Sequence, residues 1–198
     1  MTGLGAMMAG GNPANGRKED DWYATPIEPT VAALGAVKFD GVLHECACGD
    51  GAIGQAAERL GYKVVANDIN PRGYGVKRNF FTIERPVGHN ILSNPPWNLA
   101  EEFIRHGLKL NPRKMLFLLK STYFHAKCRA ALFEEHPPSV IYPLTWRLDF
   151  KNKGRPVVEC SWYLWERGVK RDPVVRLLHR PTPEAIRDHF AIVNSHAA

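Results

Sequence analysis

Cysteine is scarce in this chain: 198 residues contain only Cys46, Cys48, Cys128 and Cys160, and no Cys-x-x-Cys pair occurs among them. The eight histidines show no His-x-x-x-His spacing. Neither a disulfide framework nor a structural zinc site is therefore expected, and no metal is assigned. No apolar run approaches the ~20 residues needed to span a bilayer. The Gly/Ala/Met-rich opening lacks the charged-then-apolar order of a signal peptide, so a cytoplasmic setting without a membrane partner is expected. Internal repeats and a domain linker are missing as well. With 44% apolar and 23% charged residues, the composition is that of one globular domain with a full core. We assign it to residues 20–198, after a tail, residues 1–19, too poor in apolar side chains to order itself. Acidic residues are in deficit, 20 against 26 Lys and Arg, for a net charge of +6. That balance favours a polyanionic partner.

The elements that are present alternate. Thr25-Pro26 reads as the cap and first position of a helix through Ile27, Val31 and Leu34. Val42–Cys46 reads as a buried strand, Ala47-Cys48-Gly49-Asp50-Gly51 as a tight turn, Ala52–Leu60 as a helix, and Tyr62–Asp68 as a second strand. An acid thus stands at the end of strand two, nineteen positions after Gly49. This is the layout of a nucleoside-binding half of a doubly wound sheet: small residues let backbone approach a ligand, and the carboxylate accepts from ribose hydroxyls. Gly49-Asp50-Gly51-Ala52-Ile53-Gly54 also matches the dinucleotide fingerprint loosely, but Glu45 at the end of strand one would repel a pyrophosphate. A cationic or zwitterionic ligand suits it better.

Further strands are expected at Val76–Ile83, Gly88–Ser93 and Lys114–Leu119, the last uniformly apolar and hence central. Ala100, Phe103, Ile104, Gly107 and Leu108 recur at helical spacing. Tyr123–Glu135 reads as a helix, Ser139–Tyr142 and Val157–Glu166 as strands, and Thr182-Pro183-Glu184-Ala185 as the start of a last helix. The 147–156 segment between those strands is a basic, aromatic-interleaved loop suited to nucleic acid, or else a solvated hairpin.

Asn94-Pro95-Pro96-Trp97 follows the fourth strand. Two prolines stiffen the corner and remove backbone N–H groups. Its carbonyls and the Asn94 side-chain oxygen can accept from an amino group, and Trp97 offers a flat face to a planar ring. Read alone, the corner is also compatible with a simple turn that ends a strand.

In their order, these motifs resemble the class I S-adenosylmethionine-dependent methyltransferases, and within them the small DNA N6-adenine methyltransferases of bacteriophage type. The resemblance runs from Trp22 to Glu166 and rests on Trp22-Tyr23-Ala24-Thr25-Pro26, Glu45-Cys46-Ala47-Cys48-Gly49-Asp50-Gly51, Asp68 and Asn94-Pro95-Pro96-Trp97. It implies an α/β, Rossmann-like fold: a mostly parallel central sheet, helices on both faces and a terminal antiparallel strand. It implies S-adenosyl-L-methionine as cofactor, contacted by Trp22, Thr25, Glu45, Ala47, Gly49, Gly51, Asp68, Ile69, Asn79 and Phe80. Asn79 stands where the family usually has an acid. The implied reaction is methyl transfer to the N6 amino group of adenine, with Asn94, Pro95, Pro96 and Trp97 at the reacting base. Arg147, Lys151, Lys153 and Arg155, with the tail cations Arg167, Lys170, Arg171, Arg176 and Arg180, would meet the phosphates of duplex or single-stranded DNA. The enzyme would be a monomer or weak dimer in a bacterial or phage-infected cell. RNA bases or a protein glutamine are alternative acceptors of the same chemistry, a catalytically inactive nucleic-acid-binding module is a second alternative, and a nicotinamide oxidoreductase is opposed by Glu45 and the proline corner.

Overall fold

The protein is described by a computed structural model over residues 24–150, 154 and 156–195. The expected tail, Trp22, Lys151, Lys153 and Arg155 lie outside the described residues. Helix α1, Ile27–Ala36, leads into strand β1, Leu43–Glu45, helix α2, Ala52–Arg59, and strand β2, Val64–Asp68. Then follow β3, Val76–Lys77, β4, Asn90–Ser93, α3, Ala100–Lys109, and β5, Lys114–Lys120. The chain closes with α4, Ala130–Glu135, β6, Val140–Pro143, β7, Cys160–Glu166, β8, Val174–Val175, and α5, Pro183–Ser195.

The strands form one sheet in the order β3-β2-β1-β4-β5-β7-β6-β8. All pairings are parallel except those of β7, which runs antiparallel to both β5 and β6. The antiparallel strand is thus inserted between parallel neighbours. β5 is buried on both faces because successive side chains enter different cores. Leu116 and Leu118 pack with Ala33, Leu34, Ile53 and Ala57 of α1 and α2. Met115, Phe117 and Leu119 pack with Phe103 and Ile104 of α3 and Leu132 of α4. Helices therefore cover both faces. Among the described residues no helix is long and apolar enough to cross a membrane.

Five expectations are corrected. The β-α alternation does not persist throughout: only a 3₁₀ turn, Phe80–Thr82, lies between β3 and β4. The third strand stops at Lys77 because Asn79 offers a local alternative to the ladder: its Oδ1 accepts from the Phe81 amide at 3.0 Å, and its carbonyl accepts from the Thr82 hydroxyl at 2.8 Å. The segment after β5 is not one helix; two 3₁₀ turns precede α4, with Ala126 extended between them. There the Arg129 guanidinium donates to the Tyr123 carbonyl and lies 4.1 Å from its ring centre, so that carbonyl serves a side chain. Thr25 does not cap α1, which starts at Ile27 without a side-chain cap. At the last helix the expected cap is present, with the Ala185 amide donating to Thr182 Oγ1 at 3.1 Å.

The direction of β7 carries the fifth correction. Glu166 pairs with Lys114, the first residue of β5, and the Arg167 amide donates to the Arg113 carbonyl at 2.9 Å. Arg167, Lys170 and Arg171 therefore follow β7 at the sheet end opposite Asn94. Arg180 is taken by Glu28 at 2.7 Å.

Candidate functional site

The strands β1, β2, β3 and β4 all deliver their carboxyl ends to one side, and a cavity of about 310 Å³ opens there. That is the crevice where open α/β sheets bind ligands, and the volume is at the small end of the ~300–1,000 Å³ typical of ligand pockets. Its walls contain Ala47 after β1, Asp68 and Ile69 after β2, Asn79 and Phe80 after β3, and Asn94, Pro95, Pro96 and Trp97 after β4. Nine residues expected at the site thus share one space.

One end of the cavity has an acid and an aromatic wall. Asp68 Oδ2 accepts from the Gly49 amide at 2.9 Å and Oδ1 from the Asn70 amide at 2.8 Å. Each carboxylate oxygen keeps lone-pair capacity for a diol. Phe80 is buried and stacks on Phe103 (5.1 Å, 19°), while Phe81 meets Phe103 edge-on (4.9 Å, 69°). Behind them His106 takes the edge of Phe80 at 4.8 Å and sits 3.0 Å from the Ile83 carbonyl. The strand ends that carry this wall are tied by buried Asn67. It donates to the Cys46 carbonyl (3.3 Å) and the Arg78 carbonyl (3.1 Å) and accepts from His44, 2.6 Å away. Burial lowers the pKa of His44 and keeps it neutral for that role.

At the other end, the Asn94 amide is oriented. Its Nδ2 donates to Thr25 Oγ1 at 3.1 Å, and its Oδ1 is buried without a hydrogen-bond partner. A buried orphan acceptor costs about 1–3 kcal/mol, and this one belongs to a cavity-lining residue. Pro96 fixes the following turn, its carbonyl accepting from the Leu99 amide at 2.9 Å. Trp97 donates from Nε1 to the Leu118 carbonyl at 3.4 Å. Its ring has company: Lys120 Nζ lies 5.1 Å from its centre, and Phe150 stands across it at 5.4 Å and 81°. Trp97 and Phe150 together form a perpendicular aromatic corner of the cavity.

Four expected contacts are not part of its lining. Thr25 acts through Asn94 and Gly49 through Asp68. The space above Gly51 is occupied by Tyr74, since a Cβ at Gly51 would lie 2.2 Å from Tyr74 Cγ. Glu45 is 2% exposed and turned beneath α2, where the Gly54 backbone gives it a hydrogen bond and its Oε2 stays unpartnered. Of the expected nucleic-acid residues, Arg147 is exposed but paired with Glu159 at 2.8 Å. Phe81, Phe103 and Phe150 line the cavity without having been assigned there. Phe103 obeys the helical apolar stripe of α3, so its spacing marks it as core. Phe150 lies in a loop, where no periodicity speaks. Among the described residues no group of His, Cys, Asp and Glu is arranged to hold a metal ion.

Two measurements follow from this geometry. Burial, ahead of nearby carboxylates, raises the Glu45 pKa well above its ordinary 4.5, so the folded state holds a proton that the unfolded state has lost. Stability should fall as pH rises from about 4.5 towards the raised value. Glu45→Gln should raise Tm at neutral pH, and the gain should vanish below pH ~4.5 in thermal melts. Thr25→Val removes the acceptor that holds the Asn94 amide, at a cost of about 1–2 kcal/mol. Thr25→Ser should restore it. The Asn94 side-chain amide resonances should shift in the valine variant and return in the serine variant.

No protein-family model matches the chain, and no curated protein matches it in sequence. Solved structures do match in fold. A protein assigned to the class I S-adenosylmethionine-dependent methyltransferases, from Listeria monocytogenes, aligns with TM-score 0.59 at 12% identity over 90% of this chain and 73% of its own. A modification subunit assigned to a type I restriction enzyme of Vibrio vulnificus aligns with TM-score 0.60 at 12% identity, over 89% of this chain and 53% of its own, so the chain spans about half of that subunit. A protein from Agrobacterium tumefaciens assigned as an O-methyltransferase aligns with TM-score 0.57 at 15% identity, over 83% of this chain and 97% of its own. The chain has the class I methyltransferase fold.

Proposed function

We propose that the protein is an S-adenosylmethionine-dependent methyltransferase that acts on the N6 amino group of adenine in DNA. The observation that carries the reading is the Asn94 amide: one end fixed by Thr25, the other a buried, partnerless acceptor in the cavity that also holds Asp68. An acceptor left unpaired in that position fits a ligand N–H. A planar amine entering between Trp97 and Phe150 would offer one.

When bound, S-adenosylmethionine supplies an electrophilic methyl carbon on a sulfonium. Asp68 would take the ribose hydroxyls, and the phenylalanine wall the adenine ring of that cofactor. Asn94 Oδ1 and the Pro95 carbonyl would accept the two amino hydrogens of the target base. That favours a pyramidal nitrogen whose lone pair faces the methyl carbon, in a site whose dipoles are oriented in advance. As the new N–C bond formed, the methyl–sulfur bond would break with its electron pair left on a neutral thioether sulfur, and the nitrogen would release one proton to water, so no general base is required. Glu45, held under α2, takes no part in the transfer.

A net charge of +6 supports a polyanionic acceptor, and the fold likeness to a restriction-enzyme modification subunit supports DNA. An RNA base or a glutamine amide presents a similar NH₂, which the test must separate. The protein is incubated with methyl-labelled cofactor and, in parallel, with single-stranded DNA, duplex DNA, RNA and a glutamine-containing peptide. N6-methyladenine in DNA is expected. Label in RNA or peptide alone, or in none, would overturn the reading.

A further inference from the structure

In the basic 147–156 loop Arg147 is held by its ion pair with Glu159, and Arg167, Lys170 and Arg171 lie at the far end of the sheet. A different surface stands at the near end. β4 and β5 are parallel, Ser93 pairing with Phe117, so the chain leaving β5 emerges on the same side as Asn94. Lys120, the last residue of β5, already lies against Trp97 of the cavity wall. The connection that follows carries Phe124, 46% exposed, with His125 edge-on to it at 4.6 Å and Lys127 exposed beyond. Phe124 is held on a 3₁₀ turn, Tyr123–His125. Its neighbour Arg129 anchors that turn by binding Tyr123. From Ser121 to Phe133 the sequence has Lys127 and Arg129 and no Asp or Glu. Lys127 forms no ion pair among the described residues.

We propose that this connection, through Lys120, Phe124, His125 and Lys127, is the docking surface for the nucleic-acid strand next to the target base, with Phe124 stacking on an unpaired neighbouring base. The inference rests on the nucleic-acid reading above. An exposed aromatic alternating with uncompensated cations is the chemistry that holds single strands: bases stack on the ring and phosphates take the charges. A protein partner would call for a continuous apolar patch, whereas here a single ring is flanked by charge.

Binding of a fluorescent single-stranded oligonucleotide containing adenine is measured by anisotropy across a salt series for the wild type, Phe124→Ala and Lys127→Ala. Phe124→Ala should weaken binding roughly 10-fold, within the range for loss of one stacked base. Lys127→Ala should reduce the slope of log affinity against log salt by about 0.7, one phosphate contact on a single strand. Both substitutions lie on the surface, so Tm and cofactor affinity should stay unchanged. If the wild type binds and methylates DNA while both variants keep its affinity and salt slope, this docking surface is wrong and the acceptor reading stands. If the wild type neither binds nor methylates any nucleic acid, both fall together.

Discussion

Asn94→Ala is expected to lower the rate of methyl transfer by about 10²–10³-fold, the usual effect of removing one preorganised polar contact to a reacting group, while cofactor affinity changes less than twofold. The division follows from the two ends of the cavity. Asp68, Phe80 and Phe103 form one end, and Asn94 belongs to the other. Truncation also removes the orphan oxygen, whose burial is unfavourable in the unliganded protein. The variant should therefore be at least as stable as the wild type, apart from the lost bond to Thr25. Single-turnover rates beside cofactor titrations separate the two effects. Loss of cofactor binding in the variant would show that Asn94 belongs to the cofactor end.

The second large effect is on stability. Gly51 has φ of 85° and precedes α2, and a Cβ there would meet Tyr74 Cγ at 2.2 Å, Cδ1 at 2.5 Å and Cβ at 2.6 Å. These contacts involve the root of the tyrosine side chain, which cannot yield by rotating its tip. Gly51→Ala combines left-handed backbone strain of about 1–2 kcal/mol with overpacking of about 1–3 kcal/mol. A loss of about 2–5 kcal/mol is expected in urea unfolding, against a typical total of 5–15 kcal/mol. Adding Tyr74→Ala should recover the steric part in a double-mutant cycle and leave the backbone part. Strict additivity of the two substitutions would mean that the ring does not sit on the turn.

The same contacts show what sequence could and could not reveal. Glycines at 49 and 51 announce a turn with unusual backbone angles, and both have positive φ. Their smallness suggests room for a ligand, yet at Gly51 the room is taken by Tyr74, a loop residue whose position no local pattern encodes. Glu45 was legible as a strand-end acid but not in its direction: whether it faced the ligand or the helix depended on Gly54, where a Cβ would lie 2.5 Å from Glu45 Oε2. The proline corner and Asp68 were readable because each follows a strand whose apolar character fixes its place in the sheet. Strand lengths were overestimated where side chains compete with the ladder, as Asn79 does after β3. The reversal of β7, which carries Arg167, Lys170 and Arg171 away from the cavity, depends on long-range pairing with β5. Local composition is silent about that.

Thr25 shows the reverse case. Its position before Pro26 makes it an ordinary helix cap on paper, but the hydroxyl serves a residue 69 positions later. Its burial, 8% exposed, reflects that task.

We propose that the cavity is an S-adenosylmethionine site whose acid is Asp68. Isothermal titration calorimetry of the full chain with S-adenosylmethionine, and separately with NAD, tests it most directly. One-to-one binding of S-adenosylmethionine, at least tenfold weaker in Asp68→Ala and retained in Asn94→Ala, with no binding of NAD, is the expected result. Absence of S-adenosylmethionine binding, or tighter binding of NAD, would contradict it.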